Sequence, residues 1–186
     1  MGVFVTEDIM PKKELNFKAS KVTTKSDDPP SELNNRWNGV EIFIRNLTQF
    51  EMFLCDSYTN WGRAAKGPAS TVLPFSTMTY SYCNKTFSPG GVGAGNAFKL
   101  RLDSSQEFAI AIGFTNARLA CRKAGIKNSS KAEDGYDAAN DQRQSIVSGE
   151  YEGKCEETGD SVKFTIEAAS EPGSITTITI EQRIKG

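Results

Sequence analysis

The chain has no histidine among its 186 residues. That absence removes Ser-His-Asp and Cys-His nucleophilic chemistry, imidazole general bases and histidine-based metal sites together. Carboxylate-pair hydrolysis needs only two acids at a suitable separation and survives the test. No acid pair stands out in the sequence, so a non-catalytic chain without cofactor or metal is expected. Charge of one sign is also missing: 22 basic against 23 acidic residues leave a net charge of -1. Such a balance gives no overall field to gather nucleic acid.

No apolar run approaches the roughly 18 residues that span a bilayer as a helix. The opening "MGVFVTEDIMPKKELNFKAS" has neither a basic n-region nor an apolar core. A cytoplasmic protein, or one released without a signal peptide, is expected. Gly2 and Thr6 match the N-myristoylation pattern only formally. Cys55, Cys83, Cys121 and Cys155 form no C-x-x-C pair, which disfavours a zinc knuckle. Two disulfides are compatible with the count, but without targeting, reduced and buried thiols are favoured. Sequons at Asn46, Asn84 and Asn128 fit surface turns.

What is present is alternation. "EFAIAIGF" places Phe108, Ile110, Ile112 and Phe114 on one face of a strand, with Ala109, Ala111 and Gly113 on the other. Val40, Ile42 and Ile44 alternate with Glu41 and Arg45. Phe98, Leu100 and Leu102 alternate with Lys99, Arg101 and Asp103. Near the end, Val162, Phe164 and Ile166 lead through the turn Glu171-Pro172-Gly173-Ser174 into "ITTITIEQRI", a hairpin by its turn chemistry. "TVLPFSTMTYSYC" is interrupted by Pro74, which suits a sheet edge or corner.

Only residues 131–147, "KAEDGYDAANDQRQSIV", suggest helix. Residues 1–36 read as a polar N-terminal arm containing the Pro29-Pro30 stop, and residues 37–186 as the folded domain. The fold expected is mainly β: a single-domain antiparallel β-sandwich with one or two short helices. The nearly bald face of the 107–116 strand lets another element lie close, and the 131–147 helix is the obvious one. The alternative is a floor for a flat ligand.

Two groups of residues suit binding. "SPGGVGAGNAF" lacks the Lys-Ser/Thr of a phosphate loop and leads into a strand, so its Gly93, Gly95 and Asn96 form either a plain connection or a ligand rim. Beside it in this reading stand Thr115, Asn116 and Arg118 at a strand end. Tyr58, Trp61, Tyr80 and Tyr82 around "NWGRAAKGP" combine apolar faces with polar handles, which suits sugar stacking or a lipid interface. Ordinary packing would use at least two of them.

The stretch "EFAIAIGFTNARLAC", the Gly-rich loop before "FKLRLD" and the ending "VKFTIEAASEPGSITTITI" resemble the fungal fruit-body lectins over roughly residues 40–180. The wider superfamily is the actinoporin-like β-sandwiches, which "LPFSTMTYSY" also resembles. The resemblance implies a non-catalytic, carbohydrate-binding lectin of the defence type, recognising cell-surface glycans or glycolipids through Asn116 and its loop. The alternative it implies is a membrane-binding cytolysin or pore-forming toxin. Peripheral membrane association and a homo-oligomer are compatible with both. Arg122 follows Cys121 where the lectin resemblance implies an acid, which removes an acceptor for sugar hydroxyls. Residues 1–36 lack the sustained apolar stripe that an inserting helix needs.

Overall fold

The structure is a computed structural model and describes residues 2–27, 33, 38–85, 90–117 and 120–185. Pro29, Pro30 and Arg118 lie outside the described residues. The strands are β1 (Val3–Phe4), β2 (Gly39–Leu47), β3 (Glu51–Trp61), β4 (Arg63–Lys66), β5 (Thr71–Val72), β6 (Ser76–Cys83), β7 (Val92–Arg101), β8 (Glu107–Asn116), β9 (Lys123–Lys127), β10 (Gln144–Val147), β11 (Tyr151–Lys154), β12 (Ser161–Glu171) and β13 (Ile175–Ile184). The helices described over their whole length are α1 (Lys12–Lys21) and α2 (Ala132–Asp137).

Two sheets face one another. One runs β1-β11-β12-β13-β2-β6-β4, with β10 also pairing β12; the other runs β5-β3-β7-β8-β9. Pairing is antiparallel except for β1 with β11 and β13 with β2. The expected hairpin is β12–β13, in register from Phe164 opposite Ile184 to Glu171 opposite Thr177. Pro74 stands where the chain leaves β5 in one sheet and enters β6 in the other, a corner at which its missing N–H breaks no ladder.

Alternation decides what fills the space between the sheets. Phe98, Leu100, Ile110, Ile112, Phe114, Phe164, Ile166, Ile42 and Ile44 are all completely buried. Each such side chain contributes about 1.5–3 kcal/mol relative to exposure. The outward parity of β2 is less exposed than its alternation implies, since Glu41 and Phe43 are also buried. The chain after α1 crosses that face: Arg45 Nε donates to the Thr23 carbonyl at 3.2 Å, and the Asp27 amide to Thr79 Oγ1 at 3.5 Å.

The segment expected as a polar arm therefore packs on the sandwich. Val5 and Ile9 belong to the core cluster, and Leu15 of α1 is buried. Helix α1 escapes a periodicity argument because "KKELNFKASK" buries that one residue only. The helix expected within 131–147, two or three turns long because of Gly135, is shorter still and spans Ala132–Asp137. Gln144–Val147 instead pairs with β12, Ile146 lying opposite Ala168, where β-branched side chains are well accommodated.

Helix α2 lies on the bald face of β8. A Cβ on Gly113 would overlap the carbonyl oxygen of Gly135, and one on Gly135 would sit 2.6 Å from the carbonyl carbon of Ile112. Backbone meets backbone there, so both positions require glycine for want of space. Asp56 on β3 ties the helix down by accepting the Ala132 amide at 2.8 Å. The four cysteines form no disulfide, but Cys55 and Cys121 are exposed rather than buried. Asn46 of the first sequon is fully buried, its Nδ2 donating to the carbonyls of Phe50 and Leu73 at 2.7 and 3.0 Å.

Candidate functional site at the loop end

Besides the chain entering β2 at Asn38, strand directions bring four connections to one end of the sandwich. They are the β3–β4 turn at Gly62, the β6–β7 loop with Lys85, Gly90 and Gly91, the β8–β9 loop, and the β12–β13 turn at 172–174. Cross-bonds fix them there: Asn38 Nδ2 donates to Gly90 O at 3.2 Å, and Arg122 Nη1 to Gly173 O at 3.4 Å.

Asn116 lies at this end but faces inward. It is 8% exposed, and its Nδ2 donates to Gly39 O at 2.9 Å, joining the two sheets. Its role is structural, so Asn116→Ala should cost about 1 kcal/mol by leaving that carbonyl without its donor. A thermal melt should fall by a few degrees, and ligand binding by the folded fraction should not change. A melt identical to the parent's would refute this role.

Asn96, expected on a ligand rim, is also inside. It is fully buried, donating from Nδ2 to Ser57 Oγ at 3.1 Å and to the Tyr82 hydroxyl at 3.2 Å. Gly93 and Gly95 lie beneath α2. A Cβ on Gly93 would come within 2.9 Å of the Tyr136 ring and 3.3 Å of the Trp61 ring, and one on Gly95 would overlap the Ala132 carbonyl. Thr115 is half-buried in the β8–β9 ladder opposite Lys123.

The aromatic group divides in two. Tyr80 and Tyr82 are core residues, 0% and 3% exposed, packed edge-on and tilted against Phe114 at 6.2 and 5.1 Å. Burial pushes the Tyr80 phenol well above its ordinary value. They share the inward parity of Met78 on β6, with Thr79 and Ser81 on the other parity, and that alternation was the signal against surface roles.

Tyr58 and Trp61 are on the outside. Tyr58 is half-buried against Tyr136, with ring centroids 5.4 Å apart, and burial followed by the nearby Glu133 carboxylate raises its phenol. Trp61 is 49% exposed. Asn60 Nδ2 donates to the Tyr136 hydroxyl at 2.8 Å. Tyr136 thus holds the Asn60 side chain and shares the bare face of Gly93 with the Trp61 ring, an arrangement the sequence marks only through the bareness of Gly93.

Trp61 forms one wall of an open cleft of about 450 Å³, completed by Asn60, Gly62, Lys85, Gly90 and Gly91. One amphipathic ring, one cation and exposed glycine backbone can hold a polar headgroup against an apolar face. A larger concavity, about 620 Å³, lies at the opposite end beside α1 and is walled by Pro11, Lys13, Glu14, Phe17, Glu156 and Glu157. The loop-end cleft is the better candidate because it unites the exposed tryptophan with the glycine loop. Among the described residues no cluster of three or more cysteine or acidic side chains could hold a metal ion.

No family model matches the chain. No curated protein matches it either. Among solved structures, the crystal structure of the lipid binding protein Nakanori superposes with a TM-score of 0.52 at 9% identity, covering 92% of this chain and 79% of that one. IP-1A from Alcaligenes faecalis gives 0.44 at 10% identity over 77% and 89% of the respective chains. RahU protein, solved with a Tris molecule, gives 0.43 at 9% identity over 81% and 98%. The likeness to Nakanori shows a shared β fold.

Proposed function

We propose that this chain is a non-catalytic binding protein that docks on a lipid surface through its loop end, with Trp61 as the apolar anchor. The observation that carries this reading is the half-exposed Trp61 ring, which lies with Tyr136 over the bare Gly93 and opens beside Lys85. A half-exposed indole is suited to the headgroup region, where its apolar body and N–H are both accommodated. The fold likeness to a protein described as lipid binding favours the same reading.

A glycan-binding reading is less well supported, because Asn116 and Asn96 spend their amide donors on Gly39, Ser57 and Tyr82. Pore formation has little support too. The only large apolar side chain that α1 exposes is Phe17, too little for an inserting stripe.

Flotation with phospholipid vesicles tests the proposal. The parent chain should rise with the vesicles, and Trp61→Ala should weaken partitioning about ten-fold, the scale of burying the remaining half of a large aromatic side chain. Dye should stay inside the vesicles. Protein remaining in the soluble fraction with every phospholipid, alongside binding on a glycan array, would replace this reading with the lectin one.

A further inference from the structure

We infer that the loop end recognises an anionic phospholipid surface rather than a zwitterionic one, an inference that rests on the docking reading above. The argument comes from where cations lack partners. Several cations on the sheet faces are neutralised: Lys163 and Lys185 share Glu150 at 3.0 and 2.8 Å, Lys99 meets Glu107 at 2.7 Å, and Arg183 pairs with Glu181 at 3.0 Å and with Glu167. The strand cations without an ion pair among the described residues, such as Arg45, Lys66, Arg101 and Lys154, are scattered over different strands. At the loop end Lys85, Arg122 and Lys123 are exposed, and none of them forms an ion pair among the described residues.

The described residues of the four connections, 62, 84–85, 90–91, 117, 120–122 and 172–174, include no acidic side chain. Glu171, just before the last turn, is already occupied by Arg143 at 3.1 Å. Within the described residues of these four connections the charged side chains are all basic, although the chain as a whole has a net charge of -1. The same end carries the exposed apolar side chains of Trp61 and Ile175.

Lys85 decides between headgroup classes. A quaternary ammonium is held by aromatic faces, whereas this cleft offers one ring with a lysine in the same wall, so a choline would meet a like charge. A phosphate or carboxylate meets an ammonium group and an indole N–H donor. Because screening confines such fields to about 8 Å at physiological salt, the local cations act on a bilayer that Trp61 touches, and the remote acids contribute little.

Flotation of the full chain with vesicles of phosphatidylcholine, and of phosphatidylcholine mixed with phosphatidylserine, tests the inference. Binding should require phosphatidylserine and weaken as salt rises. Lys85→Ala and Arg122→Ala should each lower partitioning about five-fold. Lys163→Ala, at the opposite end of β12, should leave it unchanged, and all three are compared at a temperature where melts show them folded. Equal partitioning onto both vesicles, still sensitive to Trp61→Ala, would overturn the charge inference and leave the docking reading standing. Absence from both vesicles would overturn both. Displacement by inorganic phosphate at constant ionic strength would overturn the bilayer as the ligand in favour of a free anion.

Discussion

Gly113→Val should destabilise the protein by at least about 3 kcal/mol, the upper range for overpacking a filled interior. The substitution forces two methyl groups into a space where even a single Cβ overlaps the Gly135 carbonyl oxygen and lies 2.3 Å from the Tyr136 amide nitrogen. Its neighbours here are backbone atoms of α2, and backbone cannot rotate away as a side chain end can. The helix must lift from β8. For a chain of this length the melting temperature should fall by about 10 °C, and the amides of α2 should exchange faster than those of β12 and β13.

Trp61 should respond as well, since lifting α2 withdraws Tyr136 from the Gly93 face that the Trp61 ring shares and from its bond with Asn60. Gly113→Val would thus weaken vesicle partitioning even though residue 113 is fully covered. Gly113→Ala tests the same geometry with less bulk and should fall between the parent and the valine variant. A melt within a degree or two of the parent's would mean that the small-residue face is open, and that the helix does not hold the site.

The legible parts of this fold are those where one periodicity governs one burial pattern. Phe108, Ile110, Ile112 and Phe114 alternate and all point inward, and the β12–β13 hairpin follows from its turn residues and β-branched return strand. The bareness of Ala111 and Gly113 pointed to a covering helix over the alternative of a ligand floor, because a close-packed neighbour fills a strand face without side chains. Helix α1 was illegible for the converse reason. It buries Leu15 alone, and its position is set by long-range bonds such as the Met10 amide to Gln49 Oε1 at 2.9 Å.

The candidate site was harder to read, because residue type alone does not say which way a polar side chain turns. Asn96 and Asn116 look like ligand contacts in the sequence, yet each satisfies a partner across the sandwich. Tyr80 and Tyr82 look like a surface cluster until their parity with Met78 is considered. Trp61 was legible as an amphipathic residue in a small-residue loop. Its neighbour over Gly93, Tyr136, comes from a segment 75 positions later in the chain and could be paired with it only through the fold.

Asp103→Ala should be the second severe substitution, costing about 3 kcal/mol, since hydrogen bonds to a charged acceptor contribute roughly 1.5–3 kcal/mol each and do not add fully. This carboxylate, 3% exposed, accepts the Thr6 amide at 2.7 Å and the Thr6 hydroxyl at 3.1 Å. It also accepts the Ser105 and Gln106 amides at 2.7 Å each, and the Ser105 hydroxyl at 3.0 Å. One side chain therefore closes the β7–β8 turn and clasps the N-terminal segment whose Val5 and Ile9 enter the core. In the alanine variant the amides of Val5 and Thr6 should exchange much faster than in the parent.

The same contacts, the Thr6 amide foremost, hold the Asp103 carboxyl well below the usual carboxylate range. An unfolded aspartate takes up its proton near about pH 3.9. Above that value both states are ionised and the clasp contributes fully. As the pH falls below it, the unfolded chain binds a proton that the folded chain does not, so stability declines down to the folded value. Glu150, lowered to about 2 by Lys185 and Lys163, contributes in the same acid window but is common to parent and variant, and cancels in their difference. Asp103→Asn removes the titrating group, so its stability should fall less steeply than the parent's between about pH 4 and pH 2. Denaturant melts across that range measure both slopes, and parallel slopes would show that Asp103 does not clasp Thr6 as an ionised group.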